Sequence, residues 1–150
     1  MTVSRSLLDR LPHRPPMRLV EEVVSIDPGR SARGRRVARP DDWYFQGHFP
    51  GDPVVPAIVL VELLAQTAGF AASGAGDHEG PEGQSLRVAA FGGFKFSAAA
   101  RPPAVLEATA RIIGRMGPMI KVEGEVTSDG TRVAVGELTL AIVAGDHGKT

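Results

Sequence analysis

The sequence predicts an α+β fold in which an antiparallel sheet wraps around one long central helix, and two observations carry that prediction. The first is the stretch Ala57 to Ala72 (AIVLVELLAQTAGFAA), apolar around its whole circumference. A helix with no polar face has to be buried. The second is the order of elements. Two strand-like runs precede this stretch and four follow it, the last two joined by Asp129-Gly130, a pair suited to a tight hairpin. Strands linked by hairpins make an antiparallel sheet, and a single buried helix needs that sheet to curl around it.

The helix starts at a proline-punctuated entry. Pro56 suits a first helical position, where the missing N–H costs nothing and φ is already near its helical value. Sixteen residues at about 1.5 Å each give a rod of roughly 24 Å. A membrane span is not expected, because a span needs about 20 apolar residues and this run is interrupted by Glu62 and Gln66.

The remaining elements follow in order. Ser4 to Arg10 predicts a short helix ended by Pro12, and His13-Arg14 is read as fixing the entry to the first strand. Arg18 to Ile26, rich in Val and Ile, predicts a strand closed by Asp27-Pro28-Gly29. Arg30 to Arg39 (RSARGRRVAR) predicts the returning strand, with Arg33, Arg35 and Arg39 on one face by period two. A solvated face and a dock for an acidic partner are both open readings of that stripe. Ser73 to Gln84 reads as a loop; its Asp77, His78 and Glu79 could catch a metal, but adjacent side chains in a loose loop seldom make a functional site, and no metal site is expected. Strands are predicted over Leu86–Phe96, Val105–Ile113, Met119–Thr127 and Thr131–Val143, with a frayed tail from Gly145.

Length and composition set limits. The 150 residues make one ordinary domain, 1–150, with 43% hydrophobic and 23% charged residues. Seventeen basic and seventeen acidic residues cancel, so overall charge points to neither nucleic acid nor an anionic membrane. The absence of cysteine excludes disulfides, a thiol nucleophile and thiolate metal sites. No Gly-x-Ser-x-Gly occurs, which argues against a serine hydrolase. The opening MTVSRSLLDRLP lacks an apolar signal core, and a cytoplasmic protein is expected.

Two residues are candidates for chemistry. Glu62 is a carboxylate on an otherwise uncharged helix. Its bland reading is a carboxylate paired with a base or lying at a wet edge; its functional reading is a carboxyl group whose pKa is raised by desolvation, so that it holds a proton near neutrality. Gln66, one turn on, shares its face. His48 precedes Glu62 by fourteen residues, in Gly47-His48-Phe49-Pro50-Gly51, where two glycines and a proline favour one fixed presentation of the ring. A rigid imidazole beside a buried carboxylate is a candidate acid/base pair.

At these residues the chain resembles the 3-hydroxyacyl-acyl-carrier-protein dehydratases of the hot-dog fold. The family pattern His-Phe-Pro-Gly-x-Pro-Val-x-Pro-Gly, followed by a Glu and a Leu-Ala-Gln run, stands here as His48-Phe49-Pro50-Gly51-Asp52-Pro53-Val54-Val55-Pro56-Ala57, Glu62 and Leu64-Ala65-Gln66. Leu11-Pro12-His13-Arg14 matches a second signature. Two departures stand out: Ala57 replaces the usual Gly, and Phe94 to Pro103 lacks the basic run and Pro-Gly-Asp ending of relatives.

The resemblance implies dehydration of a 3-hydroxyacyl thioester to the trans-2-enoyl product. In this scheme His48 takes a proton from the carbon next to the thioester and Glu62 protonates the departing hydroxyl. Amides at the helix start, Ala57 among them, meet the carbonyl oxygen, while Phe49 and Gln66 are candidate substrate contacts. It also implies acyl carrier protein as partner, with Arg33, Arg35 and Arg39 as candidate dock. The phosphopantetheine arm comes with the substrate and no other cofactor is needed. A homodimer or trimer of dimers is implied. The alternatives are a hot-dog thioesterase using Glu62 to activate water, and a non-catalytic acyl-binding protein.

Overall fold

The computed structural model describes residues 5–73 and 84–144. Asp77, His78, Glu79 and the tail from Gly145 lie outside the described residues. The elements are α1 (Arg5–Leu8), β1 (Glu22–Asp27), β2 (Ser31–Ala38), a 3₁₀ turn (Trp43–Phe45), α2 (Ala57–Ser73), β3 (Gln84–Phe96), β4 (Ala104–Met116), β5 (Met119–Ser128) and β6 (Thr131–Ala144). The six strands form one antiparallel sheet in the order β1-β2-β4-β5-β6-β3. This is the hot-dog arrangement, with α2 lying chiefly over β4 and β2 and touching β3 and β6 little.

The helix sits close because the sheet beneath it is lined with small residues. Ala32, Ala108 and Ala110 are fully buried under it. A β-carbon placed on Gly34 would lie 2.6 Å from Thr67 Oγ1, and one on Gly124 would lie 2.5 Å from Leu64 Cδ1. Both positions leave room only for hydrogen. Leu60, Leu63, Leu64 and Phe70 fill the space between helix and sheet, each worth about 1.5–3 kcal/mol of burial.

Two expectations change. The run after the helix is hairpin-linked only from β4 to β6, because β3 pairs with β6 at the far edge and β4 returns beside β2. The first strand is also shorter than Arg18–Ile26. Residues 19 and 20 give their amides to the side chain of Gln66, at 2.8 and 3.4 Å, so ladder pairing begins only beyond them.

Candidate functional site

His48 is held by its own loop. Gly47 and Gly51 adopt positive φ of 79° and 74°, a region open to glycine, and so allow the tight turn on either side. The His48 amide donates to the Phe45 carbonyl at 3.0 Å, Val54 donates to the His48 carbonyl at 3.0 Å, and Phe49 and Asp52 exchange backbone bonds at 3.0 and 2.9 Å. The His48–Phe49 peptide is cis. The imidazole stacks on Phe49, ring centroids 4.2 Å apart, and its Nδ1 lies 2.9 Å from the Val54 carbonyl. A carbonyl can only accept, so Nδ1 carries a proton, and in the neutral ring Nε2 presents a bare lone pair. That is the form a general base needs.

Glu62 occupies the second turn of α2, about 7.5 Å along the axis from Ala57. Gln66 Nε2 donates to its Oε2 at 2.9 Å, and His13 Nε2 stands 3.2 Å from the same oxygen. The carboxylate is 30% exposed and the His13 ring 32%. Burial pushes the Glu62 pKa up, but the bonds from His13 and Gln66 and the charge of His13 outweigh it, so the group lies below its ordinary value. The expectation of a carboxyl raised by desolvation is therefore reversed for this chain. The reason is that its two donors favour the ionised form, while its position at the rim of the core leaves it partly hydrated.

Gln66 fills a different place from the one expected. It is 1% exposed, and all four of its hydrogen-bonding positions are used: Oε1 accepts from Leu19 and Val20, and Nε2 donates to the Met17 carbonyl at 2.7 Å as well as to Glu62. Nothing is left for substrate. Gln66 positions Glu62 and ties the segment before β1 to the helix. On the other side of that segment the buried Arg36 donates to the Leu19 carbonyl at 3.2 Å and pairs with Asp42 at 3.2 Å.

His13, read from sequence as an anchor for the first strand, is the residue that reasoning missed. The signal was its place in Leu11-Pro12-His13-Arg14, but only packing brings it to Glu62. His48 and Glu62, in contrast, share no hydrogen bond or ion pair within the chain. Ala57 opens α2 and is exposed; the first amides of a helix lack intrahelical partners and face outward along its axis. Phe49 is 52% exposed and forms one wall of the His48 ring. Arg33 and Arg35 lie on the side of β2 facing away from α2, and Arg39 follows directly after the strand. Arg33 and Arg35 both pair with Glu107, Arg35 also with Glu22 at 3.2 Å, and Arg39 with Glu21 at 2.7 Å. The stripe, for which a solvated face and a dock were both open readings, is thus paired with carboxylates of the chain itself. Among the described residues, no group of three or more His, Cys, Asp or Glu is placed to hold a metal.

With this geometry in place, comparison with known proteins settles the lineage. The model of the FabA-like domain matches residues 11–137. The chain belongs to the FabA-like family. A curated relative from Moorella thermoacetica, 3-hydroxyacyl-[acyl-carrier-protein] dehydratase FabZ, is 36% identical over 88% of this chain and 90% of its own. A chain of the dehydratase heterocomplex ApeI:P from Xenorhabdus doucetiae superposes with a TM-score of 0.70 at 19% identity, covering 89% of both chains. A thioesterase-superfamily member from Thermus thermophilus reaches 0.66 at 19% identity, over 83% of this chain and 88% of its own. Those two likenesses establish the fold alone, which dehydratases and thioesterases of this FabA-like protein's architecture share.

Proposed function

We propose that the chain is a cytoplasmic hydro-lyase that dehydrates 3-hydroxyacyl thioesters on acyl carrier protein to trans-2-enoyl thioesters, in fatty-acid-type biosynthesis. The observation that carries this reading is the His48 ring, whose Nδ1 is tied to the Val54 carbonyl so that Nε2 faces out as a fixed base. It stands in a chain whose FabA-like relatives bear the name of that reaction.

His48 Nε2 takes the proton from the carbon next to the thioester, the bond from the next carbon to oxygen breaks, and Glu62 gives its proton to the leaving hydroxyl, which departs as water. Free amides at the start of α2 meet the charge that grows on the thioester oxygen. The phosphopantetheine arm comes with the substrate, and this chemistry asks for no other cofactor. The acid role requires Glu62 to be protonated, against the pull of its two donors. A second copy covering the exposed rim at Glu62 adds desolvation, which acts against that pull.

Support for such a homodimer comes from the exposed apolar surface. Edge strand β3 carries Val88, Phe91 and Phe96 in the open, Phe91 at 64% exposure, and Ile58 beside Ala57 is 78% exposed. A long apolar edge of this kind invites pairing with another strand. Dimers grouped in threes fit the same reading. The carrier protein meets Arg33, Arg35 and Arg39 at their solvent side; the exposed Arg39–Glu21 pair is worth only about 0–1 kcal/mol and exchanges readily, whereas Arg33 and Arg35 share the half-buried Glu107.

The test is incubation with 3-hydroxyacyl-carrier substrates of several chain lengths, with products identified by mass. Enoyl product with release of water supports the reading. Free thiol points to a thioesterase, and tight binding without turnover to an acyl-binding protein. Site sharing is tested by refolding a mixture of inactive His48→Ala and Glu62→Gln chains. If each site takes its His from one copy and its Glu from the other, random pairing makes half the dimers mixed, each with one intact site, and about a quarter of wild-type activity returns. No recovery, with mixed dimers confirmed by mass, places both groups within one subunit.

A further inference from the structure

Glu62 Oε2 receives two donors, Gln66 Nε2 at 2.9 Å and His13 Nε2 at 3.2 Å, while Oε1 has no partner among the described residues. His13 Nδ1 is buried and has no hydrogen-bond partner. A carboxylate oxygen can only accept, so His13 Nε2 carries a proton and donates it to Glu62 Oε2. The loop carrying His13 is itself fixed. Arg14 donates from Nη1 to the Leu11 carbonyl at 2.7 Å and to the His13 carbonyl at 2.9 Å. Both of these bonds from Arg14 Nη1 go to backbone carbonyls, and none goes to Glu62. Arg18, the next cation along, is paired with Asp9 at 3.1 Å. Among the described residues His13 is therefore the one titratable group in bonding distance of Glu62.

We propose that His13 is a positioning residue for the dehydration: with Gln66 it locks Oε2, so that Oε1 is the atom turned to the leaving hydroxyl and the one that carries the transferable proton. Two donors on one oxygen fix the rotation of the carboxyl group, and a fixed rotation is what an acid needs to deliver its proton along one line. Once the proton has gone, the same two donors hold the carboxylate that remains. The ring lies at the open rim of the site, where solvent reaches it, whereas Gln66 is sealed inside; the two donors are therefore separable by mutation.

This inference rests on the dehydratase reading, and the experiment separates the two. The wild type is assayed first with a 3-hydroxyacyl-carrier substrate; absence of enoyl product overturns the reading itself. Given activity, His13→Ala is expected to lower kcat by on the order of 10-fold with KM changed less than about 2-fold, since misplacement of a reacting group is felt in the chemical step. His13→Gln, whose amide nitrogen reaches like Nε2 and donates without titrating, is expected to recover most of kcat. The limb of the kcat–pH profile that reports Glu62 should move to higher pH in His13→Ala, because one of the donors favouring the carboxylate is gone, and should move back in His13→Gln. Wild-type kcat and an unmoved limb in His13→Ala overturn the proposal. So does equal loss of kcat in both variants in step with a lowered melting temperature, which marks His13 as structural. If His13→Ala does not fold, His13→Gln decides alone: kcat within about 3-fold of wild type supports positioning by a donor, and a loss as large as that of Glu62→Gln overturns it.

Discussion

His48 is fixed by atoms close to it in sequence: its ring bonds the carbonyl of Val54, six residues on, and its backbone bonds Phe45 and Val54. Glu62 is fixed from far away, by His13 on the segment before β1 and by Gln66, whose own anchors include Met17, forty-nine residues earlier. The base belongs to a loop that carries its own geometry. The acid belongs to a junction between helix and N-terminal segment, and holds its place only while that junction is closed. Function at the first is therefore separable from stability; at the second the two are coupled.

The largest expected effect tests the first half of that contrast. His48→Ala removes the base and should lower kcat by about 10²-fold or more, while the melting temperature changes little, because the bonds of the His48 backbone to Phe45 and Val54 remain and only the ring's bond to the Val54 carbonyl is lost. A clear drop in melting temperature would show that the ring's bond to the Val54 carbonyl and its stacking on Phe49 help hold the loop. Thermal unfolding followed beside turnover decides it.

The second half predicts the opposite balance for Gln66→Ala. The change leaves the Leu19 amide, the Met17 carbonyl and one acceptor position of Glu62 Oε2 without their partner. A loss of stability of about 1–3 kcal/mol is expected from unsatisfied groups alone, with a reduction in kcat that follows from the loosened carboxylate. Denaturant unfolding measures the first and turnover the second. Unchanged stability would break the idea that this junction is shared.

The smallest effect is in acid. The folded-state pKa of Glu62 lies below its ordinary value of 4.5, so its contribution to stability is present above that value and is lost as pH falls through the folded pKa. Glu62→Gln should flatten the fall in stability below about pH 4.5. Part of the acid limb must remain, because Glu107 and Asp42 are lowered too, each against the opposing effect of burial, the first by Arg35 and Arg33 and the second by Tyr44, Arg39 and Arg36. An acid limb in Glu62→Gln as steep as in wild type would mean that the pair with His13 does not form in solution.

The sequence by itself determined the central helix, the six strands, and the two residues on which the chemistry is proposed to turn. Helix and strands were legible because their signals are local: an all-apolar run after Pro56, alternation in the strands, and Asp129-Gly130 between β5 and β6. His48 was legible because Gly47, Pro50 and Gly51 lie within a few residues of it. The tertiary structure decided what those signals could not carry. It placed β3 at the far edge and β4 beside β2, since strand order depends on which apolar faces meet across long separations. It turned Gln66 from a substrate contact into a brace, because only packing brings the Leu19 amide and the Met17 carbonyl to it. It also set the direction of the Glu62 pKa. Burial, which the helix pattern announces, raises it; His13, which nothing in the local pattern connects with Glu62, combines with Gln66 to lower it further than burial raises it.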